Sequence, residues 1–209
     1  GNSPRSYMEK DSQEKNPKKT NSPRWEQATQ EIRVLSAVLA LNLSTEIQAY
    51  SFCLNLSVKT EQKIKRDPIA FKTVRDTFTK AVREVLRRQA EFVYVIESTE
   101  DAKLRPHLHG ALLCPSDLAP LLATTLRDRL CPDHAKRFFG ANKPIDMQPL
   151  QTPSMYVPYV MKSAEFTPYV VGHDSIAVIS RALLPKAKEA FERGRWLDLQ
   201  AFLTRQSAP

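Results

Sequence analysis

Two histidines separated by one residue, His107 and His109, stand inside the otherwise apolar run from Arg105 to Leu113. In a β-strand alternate side chains share a face, so both imidazoles project to the same side. Imidazole nitrogen is a common ligand for divalent metals, and this pair is half of a metal site. Glu97 closes the strand-like run Phe92-Val93-Tyr94-Val95-Ile96-Glu97 just upstream. If the two runs pair as an antiparallel hairpin across the polar loop Ser98–Arg105, the carboxylate lies beside both histidines and completes a three-ligand set. Glu100 and Asp101 lie close enough in sequence to compete for that third place. A histidine pair on a half-exposed strand also serves a purely structural role, hydrogen-bonded and silent. A second constellation downstream weighs against that reading.

The second constellation is Tyr156-Val157-Pro158-Tyr159-Val160-Met161-Lys162. On a helix, Tyr159 and Lys162 are neighbours on one face, which puts an ammonium beside a phenol. A free phenol has a pKa of about 10, so its attack on a phosphodiester needs a group that favours the phenolate and a metal that polarises the phosphate. An amphipathic helix with packed tyrosines and a solvated lysine is the plainer account of this stretch alone.

Taken in order, Glu97, His107-Leu108-His109 and Tyr159-x-x-Lys162 resemble the HUH endonucleases. More narrowly, they resemble the single-tyrosine Rep nuclease domains that initiate rolling-circle replication. The resemblance spans roughly residues 50 to 166 and is carried by the two central motifs. It implies that His107, His109 and Glu97 hold a divalent metal, Mg2+ or Mn2+. It implies that Tyr159 is the nucleophile that keeps a 5′ phosphate covalently, and that Lys162 assists it. The implied partners are single-stranded or hairpin DNA at a replication origin and a host helicase, in the cytoplasm, with the bacterial cytoplasm favoured over the nucleus.

Two features depart from the single-tyrosine pattern. Tyr156 precedes Tyr159 by one helical turn and is a second candidate nucleophile, although two-tyrosine relatives usually space the pair by four. Pro158 is well tolerated only in a first helical turn, which predicts a helix starting near Tyr156. Three other functions compete: an HUH transposase or relaxase, a metal-dependent nuclease using water, and a non-catalytic single-stranded nucleic-acid-binding module. The last would need aromatic platforms on the sheet, where small polar residues and histidines stand instead.

These residues need strands and helices to position them. Residues Glu26 to Asn42 carry apolar positions at helical spacing. Tyr50 to Val58 alternates as a strand, with Ser51, Cys53, Asn55 and Ser57 forming a small polar face suited to lining a site. Asp67-Pro68 opens a helix to about Arg88. Ser116 or Asp117 caps another that reaches Leu130, followed by a loop holding His134, a strand from Ile145 to Leu150 and the tyrosine helix. Beyond Phe166, two strands (Tyr169–Val171 and Ser175–Ile179) and two helices (Pro185–Arg193 and Arg195–Arg205, broken at Gly194) complete the chain. His134 and His173 receive no role. The order predicts an α+β domain with a central antiparallel β-sheet and flanking helices, which matches the HUH/Rep-type, ferredoxin- or RRM-like arrangement that the resemblance implies.

The chain has 209 residues and a formal charge of +8. One domain with a full core fits this length. Residues 1–24 are polar and almost devoid of apolar side chains, a flexible basic tail, and residues 25–209 form the single domain with C-terminal accessory helices. The start Gly-Asn-Ser reads as a cloning remnant on a piece of a longer protein. Between Lys59 and Arg88 ten basic residues face four acidic ones, a net +6. Excess positive charge favours a polyanionic partner, and Lys59, Lys63, Lys65, Arg66, Lys72, Arg105, Lys136 and Arg137 are the expected DNA contacts. The longest apolar stretch, Val34 to Leu43, is too short to span a bilayer, and no signal peptide is expected. Three cysteines without paired spacing argue for a reducing compartment and against a disulfide framework. Cys114 lacks a Cys-x-x-Cys partner, which makes zinc a poor expectation there. No G-x-x-x-x-G-K-[ST] loop is present, so the chemistry is expected to need neither ATP nor another nucleotide.

Overall fold

A computed structural model describes residues 24–65, 67–98, 106–137, 143–162, 164, 167 and 175–195. Five strands, β1 (Ala49–Asn55), β2 (Phe92–Glu97), β3 (His107–Leu113), β4 (Ile145–Pro149) and β5 (Ala177–Ile179), form one sheet. Their order is β4-β1-β3-β2-β5 and every neighbouring pair is antiparallel. The first four strands therefore follow the ferredoxin-like order 4-1-3-2, with β1 and β2 parallel to one another on either side of β3. Right-handed crossovers from β1 to β2 and from β3 to β4 send their connecting helices to the same face. These are α3 (Pro68–Leu86) and α4 (Ala119–Leu130), which pack side by side. On the opposite face lie α1 (Gln30–Asn42) and α6 (Pro153–Met161), which touch each other and the middle strands, while α7 (Leu184–Ala190) packs on α1.

The α3 face is an aromatic core. Phe52, Phe92 and Tyr94 project to it, and the Phe78 ring of α3 lies 5.3, 4.6 and 5.4 Å from theirs, centroid to centroid. Gly110 sits between these rings in register with Phe52 and Tyr94. A Cβ there would stand 2.6 Å from Phe52 Cζ and 2.7 Å from Tyr94 Cβ, besides meeting the Val93 carbonyl oxygen. The glycine after the two histidines is thus needed for close packing behind them.

Local signals explain most element boundaries. Asp67 caps α3, its Oδ1 accepting from Ile69 N–H at 2.8 Å, with Pro68 at the first helical position as the sequence implies. Arg87 ends the helix in the left-handed region, φ 53°. The helix expected from Glu26 instead begins at Gln30, because Thr29 Oγ1 accepts from Ile32 N–H and a separate 3-10 turn occupies Trp25–Gln27. The strand expected to reach Val58 stops at Asn55. Ser57 turns away to cap a short helix, α2 (Val58–Ile64), by accepting from Thr60 N–H at 3.1 Å. Alternation alone hides this, since Leu54, Leu56 and Val58 continue the strand pattern across the break.

Neither Ser116 nor Asp117 caps α4; the turn Pro115–Leu118 leads in and no side chain caps the first turn. His134 opens a one-turn helix, α5 (His134–Arg137), and lies 3.4 Å from Asp128 Oδ1. The tyrosine helix starts three residues earlier than its Pro158 suggests. Pro153 takes the first-turn position and Pro158 falls inside the helix, where it cannot donate to the Ser154 carbonyl. The final strand is shortened to Ala177–Ile179, and α7 runs into a π-helical turn, Phe191–Arg195. That turn runs through Gly194, where the sequence predicts a break between two helices, and the rest of the second helix, residues 196–205, lies outside the described residues, as do the expected strand Tyr169–Val171, His173 and the tail up to residue 23.

Candidate metal centre

The register of three strands fixes the site. Glu97 pairs with His107 across β2 and β3, while Asn55 and Cys53 pair with His107 and His109 across β1 and β3. Side-chain alternation sends Glu97, His107, His109, Cys53 and Asn55 to the face away from α3. There Glu97 Oε2 lies 2.8 Å from His109 Nε2 and 3.2 Å from His107 Nε2. The two imidazole nitrogens are 2.9 Å apart, with the rings near perpendicular. All three side chains are buried, Glu97 to 1% exposure.

These donors fit a divalent ion. An ion about 2.1 Å from two nitrogens in adjacent octahedral positions separates them by about 3 Å, close to the spacing of the two Nε2 atoms. Two histidines and one carboxylate leave open positions for substrate. Burial holds the His109 pKa below its ordinary value, opposed by the hydrogen bond that its Nε2 donates to Glu97. A neutral imidazole is the form that ligates metal.

The helix α6 brings the tyrosines over this cluster in two different states. Tyr159 is 53% exposed, its ring edge-on to His109 at 5.5 Å between centroids. Lys162 Nζ stands 4.0 Å from the Tyr159 ring centroid and 3.5 Å from Glu97 Oε1, so one ammonium bridges phenol and carboxylate. Tyr156 points into the sheet. Its hydroxyl donates to the Gly110 carbonyl at 2.5 Å and lies 3.3 Å from the Phe52 carbonyl. Burial pushes the Tyr156 pKa well above that of a free phenol. The second candidate nucleophile is a proton donor to the backbone, whereas Tyr159 faces outward.

Cys53 is the residue the sequence placed on the right face without assigning it a role. Its Sγ is 4.0 Å from His109 Nε2, and one ligand atom from each of Cys53, His107 and His109 lies within 4.8 Å of the others. Burial, with the negative charges of Glu97 and Asp146, pushes the Cys53 thiol up to about 11. The available signal was its place two residues before Asn55 on the polar side of an alternating strand. Cys114, the thiol weighed for zinc, is buried beside the Pro115 carbonyl, 3.2 Å away. None of Cys53, Cys114 and Cys131 is in a disulfide.

The expected DNA contacts scatter. Lys59, Lys63 and Lys65 are exposed on and just after α2, which follows the end of β1 that pairs with His107. Lys72 lies on the other layer, in a groove with Phe71, Arg75 and the edge strand β5. Lys136 is exposed on α5, which also contains Arg137. Arg66, Arg105, Glu100 and Asp101 lie outside the described residues. No helix among the described residues is long and apolar enough to cross a membrane. The chain matches no family model, no curated protein and no solved structure.

Proposed function

We propose that this chain is an HUH-type DNA strand transferase. In this reading it nicks and rejoins single-stranded DNA through a covalent 5′-phosphotyrosine on Tyr159 and starts rolling-circle replication. The observation that carries the reading is one buried carboxylate, Glu97, shared by two histidine nitrogens at 2.8 and 3.2 Å and linked through Lys162 to an exposed tyrosine. His107, His109 and Glu97 hold the divalent metal, Mg2+ or Mn2+, which when bound supplies Lewis-acid polarisation of the scissile phosphate. Lys162 stabilises negative charge growing on the Tyr159 oxygen. The tyrosine oxygen gives up its proton as it bonds to phosphorus, the bond from phosphorus to the 3′ oxygen breaks, and that oxygen takes up a proton to leave as a 3′ hydroxyl. Reversal by a 3′ hydroxyl restores the strand, so joining needs no nucleotide.

Tyr156 has the opposite task. Its hydroxyl proton is engaged by Gly110, which fixes α6 on the sheet and so sets the height of Tyr159 above the histidines. The open face lends support against a binding module, since Ser51, Cys53 and Asn55 line it in place of stacking aromatics.

The test is incubation with a single-stranded DNA library and Mn2+, followed by denaturing electrophoresis of protein-linked DNA. The expected result is a metal-dependent adduct that Tyr159→Phe loses and Tyr156→Phe retains. An adduct that survives Tyr159→Phe overturns the nucleophile. Metal-dependent cleavage without any adduct identifies a nuclease using water.

A further inference from the structure

Cys53 approaches the histidine pair from the β1 side and Glu97 from the β2 side, because β3 lies between those two strands. The pair therefore has a hard oxygen donor on one flank and a soft sulfur donor on the other. We infer that Cys53 is an additional ligand that gives this centre a second, thiophilic metal state, occupied by Zn2+ or Co2+ and distinct from the Mg2+ or Mn2+ state. The inference rests on the proposed metal centre, though not on its DNA chemistry.

Geometry supports it. Zinc bonds of about 2.3 Å to sulfur and about 2.0 Å to imidazole nitrogen put the two donors about 3.6 Å apart at a tetrahedral centre. Cys53 Sγ and His109 Nε2 stand 4.0 Å apart, and no pair within the Cys53–His107–His109 set exceeds 4.8 Å. Small side-chain rotations close that gap. The backbone under Cys53 is held on both sides, by β3 through His109 and by β4 through Asp146, so the sulfur is carried by rigid strands. Asp146 itself is exposed and accepts from Gln148 Nε2 at 3.0 Å. Cys53 is half-buried and open to an entering ion.

Ligand softness then decides which ion takes which set. Thiolate favours zinc and cobalt, whereas carboxylate and water suit magnesium and manganese. Coordination releases the thiol proton to solvent as the sulfur–metal bond forms. Sulfur and the two imidazole nitrogens are three protein donors, which leaves the fourth position of a tetrahedral ion to water or another small ligand.

The experiment is a Co2+ titration of the full chain, followed by absorption, with Cys53→Ser, Cys53→Ala and Cys114→Ser in parallel. A near-ultraviolet thiolate-to-cobalt band is expected in the parent and in Cys114→Ser, and absent from both Cys53 variants. Zn2+ affinity, measured by chelator competition, should fall tenfold or more in the Cys53 variants while Mn2+ affinity changes less than twofold. No band in the parent, a band that persists without Cys53, or equal Zn2+ affinities would each overturn the inference. DNA adducts formed with Mn2+ in a protein lacking the cobalt band sink this inference and leave the nuclease reading. A Cys53-dependent band in a protein that forms no adduct does the reverse.

Discussion

The two faces of the central sheet are built from the same three strands, yet only one of them carries a cluster of titratable groups. Toward α3, Phe52, Phe92, Tyr94 and Phe78 stack into an aromatic core in which the one polar side-chain group is the Tyr94 hydroxyl, its pKa raised by burial. Toward α6, Glu97, His107 and His109 bring titratable groups within contact of one another at nearly full burial, with the half-buried Cys53 beside them. Burying such groups is costly unless each is paired or ligated, so the polar cluster is held together by mutual contacts. Apolar burial supports both faces, since Val93, Val95, Ala111 and Leu113 are buried on the α6 side as well.

That asymmetry can be broken experimentally, and the most drastic attempt is on the face that carries the cluster. Tyr159→Phe removes the exposed phenol without touching the core, and adduct yield should drop on the order of a thousandfold or more while thermal stability stays within error. A large loss of stability would show that Tyr159 belongs to the packing. The counterpart on the aromatic face is Phe78→Ala. It should cost about 3–5 kcal/mol in urea unfolding while leaving Mn2+ affinity of the folded protein unchanged. A parallel fall in affinity would mean that the faces are not independent.

Tyr156 tests the boundary between them. Tyr156→Phe deletes the donor to Gly110 and leaves that carbonyl without it, at a cost of about 1 kcal/mol, while adducts still form. A fall in adduct yield comparable to that of Tyr159→Phe would transfer it from the frame to the chemistry. The gentlest probe is pH. Burial holds the folded-state pKa of His109 below its ordinary 6.5, so on acidification the unfolded chain takes up this proton first. The stability of the metal-free protein should therefore fall as pH drops from 6.5 through the folded-state value. His109→Gln should flatten that slope in urea titrations, and an unchanged slope would assign it to another group.

Much of this architecture was legible from residue order. The apolar runs Phe92–Glu97 and His107–Leu113 gave two strands whose antiparallel pairing sets Glu97 beside His107, as the structure has it. Asp67-Pro68 marked its helix start because capping is a local interaction. Signals failed where one residue type serves two roles. Ser57 fits both a strand's polar face and a helix cap, and the cap prevails. Pro158 marks a first turn by its own chemistry, but Pro153 occupies that turn and the sheet holds the helix through Tyr156.

The sequence by itself determined which residues share a face, since strand and helix periods follow from backbone geometry. On that ground Glu97, His107 and His109 could be grouped, and Tyr159 joined with Lys162. Only the tertiary structure decided which of two tyrosines is outward and which is anchored, because that depends on where α6 rests on the sheet. It alone also brought Cys53 to the histidines. Their pairing joins strands 56 residues apart in sequence, and register between distant strands is set by the packing of the whole sheet.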